Sequence, residues 1–396
     1  MKIKTMWKVY IYKFLISLTF IDGVIIPFFT IWGGLIFTQI MILQSWFMLC
    51  IFLLEIPSGA IADYLGRKNT LFIATIIGIM AIIIYSSIAN FFIFMLGELF
   101  WAFSAALISG ALEAFIYDKL KENGLSRFSR KFFSRSEIFM LLGFSVSAPL
   151  GSLIAYFIGL RYTMLFISIP YIIAAIITLM FKEPQIETTI SRKSYFKILK
   201  NGVNTFFREK NLLIIAINYI IIYVIGYLMI WLYQPMLNQV GISIIYYGLI
   251  STASTGFQIF MMNSYHKLEG IFKSRKYVLL FTALITVIMY IVGGLTLYIP
   301  LVIISIVLIK GIGLSRTPIF IDYMNKYIPS SERSTTLSTI NMFQKLIIMI
   351  VNPIIGWSVA YWSLNYTLII IGVVSLVFIF IFRIKERQLL IYDKED

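Results

Sequence analysis

Seven acidic or basic side chains lie within stretches of the sequence that are otherwise strongly apolar. A charge near the centre of a membrane-spanning helix costs ~2.5–3.5 kcal/mol on insertion scales, so such groups tend to face a cavity or a partner. In that setting a carboxylate can carry a proton, and a cation can bind a carboxylate or an anionic ligand. The acidic members belong to the first half of the chain and the basic members to the second: Asp22, Glu55, Glu98 and Glu113, then Lys310, Arg316 and Lys345.

The depth of each group follows from its place along its apolar stretch, at ~1.5 Å per residue of helix. We expect Asp22 to carry a proton and Lys310 to be the positive partner, either of Asp22 or of an anionic group on a substrate. A fixed structural salt bridge between Asp22 and Lys310 is the alternative, and the sequence leaves both open. The expected depths are the midplane for Asp22, Lys310 and Lys345, the cytoplasmic side for Glu55, Glu113 and Arg316, and the outer side for Glu98.

The composition indicates what kind of structural element contains these seven side chains. Of the 396 residues, 60% are hydrophobic and only 13% are charged, whereas soluble domains carry about 25% charged residues. Apolar runs of the ~20 residues that a spanning helix needs follow one another almost from end to end. The basic start, residues 1–13, continues into an apolar run too long for a signal peptide, with no cleavage site after it, so we expect a retained first span. The sequence therefore predicts an all-α, multi-pass membrane protein.

Twelve transmembrane helices are predicted from long apolar windows that are broken by charge or by Gly, Pro and Asn signals. Their expected limits are 8–31, 38–62, 69–89, 91–118, 133–157, 162–181, 211–236, 244–265, 276–297, 299–326, 334–360 and 362–382. The longest connection divides the chain into two sets of six helices. The predicted domains are an N-terminal bundle (1–182), a cytoplasmic linker (183–210), a C-terminal bundle (211–383) and a cytoplasmic tail (384–396).

Basic residues are concentrated in the connections after even-numbered helices and at both termini, whereas Arg161 is the only one in the other connections. By the positive-inside rule, both termini and the even connections are cytoplasmic. The net charge of +15 is thus explained by topology without a nucleic-acid partner. In the linker, an amphipathic helix on the membrane surface is predicted, with a disordered linker as the alternative, because apolar residues recur at helical spacing among lysines: Tyr195, Phe196, Leu199, Val203 and Phe206.

Residue types that serve enzymatic or metal chemistry are scarce. Cys50 is the only cysteine and His266 the only histidine, which excludes an internal disulfide and a metal site built on either type. The sequence contains no HExxH pattern and no phosphate-binding loop. We therefore expect no enzymatic activity, no metal ion and no cofactor.

The connection between the second and third predicted helices reads GAIADYLGRK and carries a dense cluster of charges and glycines. Its marked residues are Gly59, Asp63, Gly66, Arg67 and Lys68. A loop that only sets topology would explain Arg67 and Lys68, but neither Asp63 nor the glycines. We expect Gly59 to allow close helix approach, Asp63 to face the positive N-terminus of a neighbouring helix, and Gly66 to permit a tight turn.

Twelve helices, the six-plus-six division and this motif together resemble the major facilitator superfamily of secondary transporters, and the resemblance covers the whole chain. Tyr64 stands where the superfamily's pattern usually has an arginine. The resemblance implies a cytoplasmic gate in which Arg67 meets Asp118, at the end of helix 4, with Glu55 in the same network.

The resemblance also implies that helices 1, 4, 7 and 10 line a central cavity. The residues that we expect in this cavity are the charges Asp22, Glu113, Lys310 and Arg316, together with Lys345 of helix 11, and Asn218 and Tyr223 of helix 7. In helix 4, Glu98 stands where the superfamily often has an arginine.

The function implied is transport of a small solute by alternating access across the cytoplasmic membrane. We expect proton-coupled efflux, as in drug/H+ antiporters, because GFSVSAPLGS (143–152) resembles a Gly-Pro-rich stretch of antiporters. The alternative is proton-coupled uptake of an anionic or zwitterionic nutrient, which the basic residues of the second half favour. A non-transporting membrane sensor is a remote alternative. The expected partners are a small-molecule substrate, protons and the lipid bilayer, without nucleic acid, and the expected state is a monomer.

Overall fold

The computed structural model describes residues 6–184, 203–329 and 332–389, and these residues form helices joined by short connections. The predicted surface helix of the linker lies outside the described residues, except for residues 203–208, which are helical. Described residues 384–389, from the predicted tail, include a last short helix. The all-α class predicted from the composition is therefore what the described chain adopts.

Residues 6–184 form eight α-helices, counted with two short ones. They are α1 (Met6–Ile16), α2 (Ile25–Pro27, continued by a π-helical turn at Phe28–Trp32), α3 (Phe37–Leu65), α4 (Arg67–Ser87), α5 (Phe91–Glu122), α6 (Ser129–Phe157), α7 (Leu160–Leu165) and α8 (Ser168–Leu179).

The second half forms another eight helices within the described residues. They are α9 (Lys210–Gln239), α10 (Tyr247–Phe272), α11 (Arg275–Leu295), α12 (Ile299–Ser315), α13 (Thr317–Asn325), α14 (Arg333–Tyr361), α15 (Leu364–Ile381) and α16 (Glu386–Leu389).

Ten helical segments of the described chain are long and apolar enough to cross a membrane. They correspond to predicted helices 2–7 and 9–12, so the count of twelve stays a prediction for the two others. Predicted helix 8 is the helix α10, which does not reach this hydropathy because Ser, Thr, Gly and Gln residues interrupt the apolar ones from its first turns onward. Predicted helix 1 is interrupted, because α1 ends at Ile16 and regular α-helix resumes only at Ile25.

The interruption in predicted helix 1 packs against small residues of α6. A Cβ atom added to Gly151 would lie 1.6 Å from the carbonyl oxygen of Phe20, and one added to Gly143 would lie 2.8 Å from that of Phe14. On the other side of the contact, a Cβ on Gly23 would lie 2.3 Å from the carbonyl oxygen of Ala148. The Gly-Pro-rich stretch of α6 therefore lets two backbones meet where the first helix breaks.

Contacts between residues group the chain into two compact units. The first unit contains the described residues 6–184, with Ile242–Thr252 and Met349–Gly356 from later in the sequence. Its core lies where α1, α5 and α8 meet, around Phe115 and Tyr12, both fully buried. Because lipid tails are as apolar as these side chains, the helices are held together here by van der Waals packing of the aromatic rings rather than by removal of apolar surface from water.

The second unit contains residues 203–241, Ala253–Ile348 and residues 357–389. Its helices α9 and α12 cross at two glycines, where a Cβ on Gly226 would lie 2.9 Å from the Cα of Gly313. The absence of side chains at both positions brings the helix backbones into direct contact, as small residues commonly do in membrane bundles. This crossing fixes the relative position of Tyr233 on α9 and Lys310 on α12.

Candidate functional site

The GAIADYLGRK motif forms the connection from α3 to α4 in the first unit. Gly66, between the two helices, has a φ of +82°, a conformation that glycine adopts without the strain of a side chain. The guanidinium group of Arg67 pairs with Asp63, with Nη2 2.7 Å from Oδ1. Its Nε lies 3.8 Å from Oδ2 of Asp118 on α5. The charge contact expected between Arg67 and Asp118 is therefore present.

The N-terminus of α4 binds a carboxylate from another part of the first unit. This carboxylate belongs to Glu183, which lies shortly after the end of α8. The backbone amide of Arg67 donates to Oε1 of Glu183 at 2.6 Å, and the amide of Lys68 donates to Oε2 at 2.8 Å. These amides have no acceptor within the helix, and a negative charge there is favoured by the helix dipole. We expected Asp63 to face a helix N-terminus, but it pairs with Arg67 one helical turn away, and Glu183 takes that position.

Two other members of the predicted gate, Gly59 and Glu55, lie near the end of α3. No atom outside its own helix lies within 4 Å of a Cβ built on Gly59, so the close helix approach expected at this glycine is not present. Glu55 lies half-buried one turn earlier on α3, and its carbonyl oxygen accepts a hydrogen bond from Ser58 at 2.9 Å.

Asp22 lies in the interruption between α1 and α2, where the chain turns without regular α-helix. Its backbone amide donates to the carbonyl of Thr19 at 3.0 Å, and the Thr19 hydroxyl donates to its carboxylate. The carboxylate is half-buried. A helix break thus presents a partly accessible acid within an apolar region, held by a hydroxyl that can remain bonded to either protonation state.

Glu113 belongs to a charged cluster in the first unit that joins three helices. It lies on α5, on an exposed position, within the electrostatic influence of Lys13 on α1 and Glu137 on α6. Lys13 and Glu137 form an ion pair, with Nζ 3.5 Å from Oε1. The partners of Glu113 were not foreseen because Lys13 and Glu137 lie near the ends of predicted helices, where charges are read as topology signals.

Lys310 lies on α12 in the second unit, against an aromatic ring. Its side chain is buried, and its Nζ lies 5.3 Å from the centre of the Tyr233 ring. The Tyr233 hydroxyl accepts a hydrogen bond from Nε2 of Gln234 at 2.7 Å. This cluster combines an ammonium group, a phenol and a carboxamide, a set that suits a ligand with both π-electron and polar groups.

Arg316, which is predicted to line the central cavity, is buried within the second unit. It separates α12 from α13, and its side chain is only 1% exposed. Its Nη2 donates to the carbonyl oxygen of Leu279 at 3.1 Å, and its guanidinium carbon lies 4.9 Å from the centre of the Phe320 ring. In this structure Arg316 is therefore an internal residue that joins the helix break to α11.

The remaining polar residues of the predicted cavity lie on α9 and α14 of the second unit. Tyr223 is hydrogen-bonded to Gln344, while Asn218 is buried and its Nδ2 donates to the carbonyl oxygen of Phe382 at 3.4 Å. Lys345, next to Gln344 on α14, is half-buried. Asn218 on α9 therefore contacts the end of α15. Tyr223, also on α9, contacts Gln344 of α14, which is the residue next to Lys345.

The second unit repeats the arrangement that Glu183 forms in the first. Glu386, in α16, accepts hydrogen bonds from the backbone amides of Arg275 and Lys276 at 3.1 and 3.0 Å, at the start of α11. The Ser274 hydroxyl donates to the same carboxylate at 2.5 Å. The two helix starts also have similar sequences, GRK at 66–68 and KSRK at 273–276, and they share this structural role.

The pH dependence of this second contact has a definite sign. Burial disfavours the charged form of Glu386, but hydrogen bonds from Ser274, Lys276 and Arg275 and the charge of Arg275 together lower its pKa from the ordinary value. A carboxyl group with a lowered folded-state pKa adds stability above its unfolded pKa, about 4.3, and loses it as the pH falls through the folded value.

We therefore expect Glu386→Gln to lower the melting temperature at neutral pH, with a difference from the wild type that shrinks as the pH falls below about 4.3. The measurement is thermal unfolding of the detergent-purified protein at a series of pH values. An exposed acid with no such contacts, Asp322, provides the control Asp322→Asn. A difference that stays constant with pH would contradict the assignment.

A sequence model of the Major Facilitator Superfamily matches residues 14–344 of this chain. The chain belongs to this superfamily. The resemblance inferred from the GAIADYLGRK motif is thereby confirmed, and with it the assignment as a multi-pass protein of the cell membrane. Members of the superfamily are secondary transporters and not enzymes, so this chain is a secondary transporter that moves a small molecule.

Similar proteins match this chain over nearly its whole length. The uncharacterized MFS-type transporter YxaM of Bacillus subtilis (strain 168) is 22% identical over 357 residues, which cover 89% of this chain and 88% of YxaM. The crystal structure of the nucleoside transporter NupG superposes with a TM-score of 0.78 at 14% identity, covering 96% of this chain and 98% of NupG. A D-xylose-proton symporter superposes with a TM-score of 0.76 at 14% identity, covering 98% and 99%. At these identities the structural likeness establishes the fold.

Sequence reasoning about this superfamily member missed both glutamates that bind helix N-termini. Glu183 follows Lys182, and Glu386 follows Lys385, so each was read as part of a basic cytoplasmic connection. The signal that was available is their equivalent position: each comes shortly after the last long helix of its half.

Proposed function

We propose that this secondary transporter exports a small solute in exchange for protons, with Asp22 as the proton-carrying group. The observation that carries the proposal is the place of Asp22, a half-buried acid at a break in the first helix, hydrogen-bonded to Thr19. A carboxyl group within the bilayer region is costly as an ion and inexpensive when protonated. Its affinity for a proton can therefore follow its exposure to water.

The proposed direction of transport, export, is supported by the Gly-Pro-rich stretch of α6. The Gly-Pro-rich stretch that resembles antiporters is in contact with the helix break that carries Asp22, through Gly23 and Ala148. A movement of α6 would therefore change the surroundings of Asp22. In the proposed gate, Arg67, Asp63 and Asp118 close the cytoplasmic side and separate during transport.

The second candidate is proton-coupled uptake of an anionic or zwitterionic nutrient. The favouring observation is the cluster of Lys310, Tyr233 and Gln234, in which an ammonium group and a carboxamide could hold a carboxylate or another anionic group. One structural relative is named as a D-xylose-proton symporter, so the fold is compatible with proton-coupled entry.

We expect Asp22→Asn to abolish solute-dependent proton movement. In everted membrane vesicles that hold a proton gradient, compounds from a panel of metabolites and drugs are added, and dissipation of the gradient is followed with a pH-sensitive dye. Compounds active on the wild type should give only background with Asp22→Asn, because asparagine cannot carry the proton.

The matched control is Glu122→Gln, which neutralises a carboxylate that pairs with Lys119 at the cytoplasmic end of α5. It should keep the response. Full coupling in Asp22→Asn would contradict the role of Asp22. Accumulation of an active compound in everted vesicles indicates export, accumulation in right-side-out vesicles indicates uptake, and no movement in either favours a sensor.

A further inference from the structure

Glu98 is a buried acid in the first unit that neither the gate nor the proposed cavity uses. It lies on α5, seven residues after the first residue, Phe91, or about 10 Å along the helix axis. Only 4% of its surface is exposed. Within the described residues, no lysine, arginine or histidine nitrogen lies close enough to form a salt bridge with it.

The two hydrogen-bond partners of Glu98 come from two other helices, and both are neutral. Nε2 of Gln44 on α3 donates to Oε1 of Glu98 at 2.8 Å. Tyr85 on α4 is also hydrogen-bonded to the Glu98 side chain. The titratable groups that face Glu98 are Tyr85 and, on α3, Cys50.

A cluster of aromatic side chains adjoins Glu98 through its partner Tyr85. Phe94, one turn before Glu98, lies 5.3 Å from Phe29 and 6.0 Å from Tyr85 between ring centres. Phe29 and Phe94 are almost completely buried. The carboxyl group therefore lies in an apolar surrounding in which neutral hydrogen bonds replace water, and desolvation disfavours an ion that has no cation beside it.

The partners suit both protonation states of a carboxyl group. A phenol can donate or accept, so the Tyr85 hydroxyl can donate to an ionised Glu98 and accept from a protonated one. Gln44 donates to the carboxyl oxygen in either state. A permanently ionised acid in such a place would require a cation, whereas this network needs none when a proton is bound.

We propose that Glu98 is a proton-binding site of this transporter, additional to the one proposed at Asp22, which takes up a proton from water and releases it when the first unit rearranges. The proposal deepens the proposed function and rests on its proton coupling. Uptake converts the carboxylate into a carboxylic acid, with the proton shared toward Tyr85, and release reverses this step. Glu98 and Asp22 would then be two acids on separate elements of the same unit.

The test is infrared difference spectroscopy of the full-length protein in lipid vesicles, recorded between acidic and alkaline buffer. We expect the wild type to show a carbonyl stretch of a protonated carboxyl group that disappears as the pH rises, and this band should be lost in Glu98→Gln. It should remain in Glu122→Gln. Glu98→Asp keeps a carboxyl group, so a shifted band that still titrates is expected from it even if Glu98→Gln does not fold.

Tyr85→Phe provides a directional check. Removal of the hydroxyl deletes a donor to the ionised form, so the band should persist to higher pH than in the wild type. A band that Glu98→Gln removes but that never titrates would show a permanently neutral structural acid and overturn the proposal, as would spectra identical in Glu98→Gln and wild type. Because the spectra need no substrate, titration of Glu98 without gradient-driven transport would count against the proposed function alone.

Discussion

Replacement of Gly151 by alanine should destabilise the first unit by about 3 kcal/mol or more, the upper range for overpacking a core. The added methyl group would lie 1.6 Å from the carbonyl oxygen of Phe20 and 2.6 Å from its carbonyl carbon. Both atoms belong to the backbone of the helix interruption, so no side-chain rotation relieves the clash. The interruption and α6 must separate, and the surroundings of Asp22 would change with them.

The measurement is the yield of monodisperse protein and its melting temperature after purification in detergent. Gly256→Ala is the matched control, because Gly256 also lies inside a long helix, α10, and nothing lies within 4 Å of its added Cβ. Alanine is favoured over glycine within a helix by roughly 0.5–1 kcal/mol, so this control should melt at or slightly above the wild type. Similar behaviour of the two variants would show that the contact between α6 and the interruption is not tight.

Replacement of Glu183 by alanine should make the first turn of α4 open more often, and the gate motif at this helix start with it. The amides of Arg67 and Lys68 both lose a charged acceptor, at 2.6 and 2.8 Å. Loss of a helix N-terminal acceptor costs about 0.5–2 kcal/mol. We therefore expect these two amides to exchange with deuterium roughly 2- to 30-fold faster, since exchange follows the free energy of local opening.

The comparison region lies within the same molecule. The amides of Arg275 and Lys276 are held by Glu386 and should exchange as in the wild type. Glu137→Ala, which removes a half-exposed acid paired with Lys13, is a control for general loss of negative charge. Unchanged exchange at Arg67 and Lys68 in Glu183→Ala would refute the role given to Glu183.

Features encoded by local spacing were predictable from the sequence. The apolar windows located ten segments that the structure also gives as long apolar helices. The turn at Gly66 and the contact between Arg67 and Asp118 followed from the motif and the family resemblance. In each case the residues that act together are either a few positions apart or belong to a pattern that the family repeats.

Features that depend on tertiary contacts were not predictable. Glu183 is 116 residues from Arg67, and no periodicity links the two. Predicted helix 1 was drawn without a break because a hydropathy window averages Thr19, Asp22 and Gly23 with their apolar neighbours. The position of Arg316 in predicted helix 10 indicates a cavity residue, whereas its contacts with Leu279 and Phe320 depend on tertiary packing.

The two glutamates have a consequence for how the chain can vary. Glu183 connects the end of the first half back to the start of its third long helix, and Glu386 does the same in the second half through Arg275 and Lys276. Each half thus has its own contact between a glutamate near its end and the N-terminus of its third long helix. Both glutamates lie outside the connection that follows residue 184. We expect a chain that is cut within that connection and produced as two polypeptides to keep both contacts.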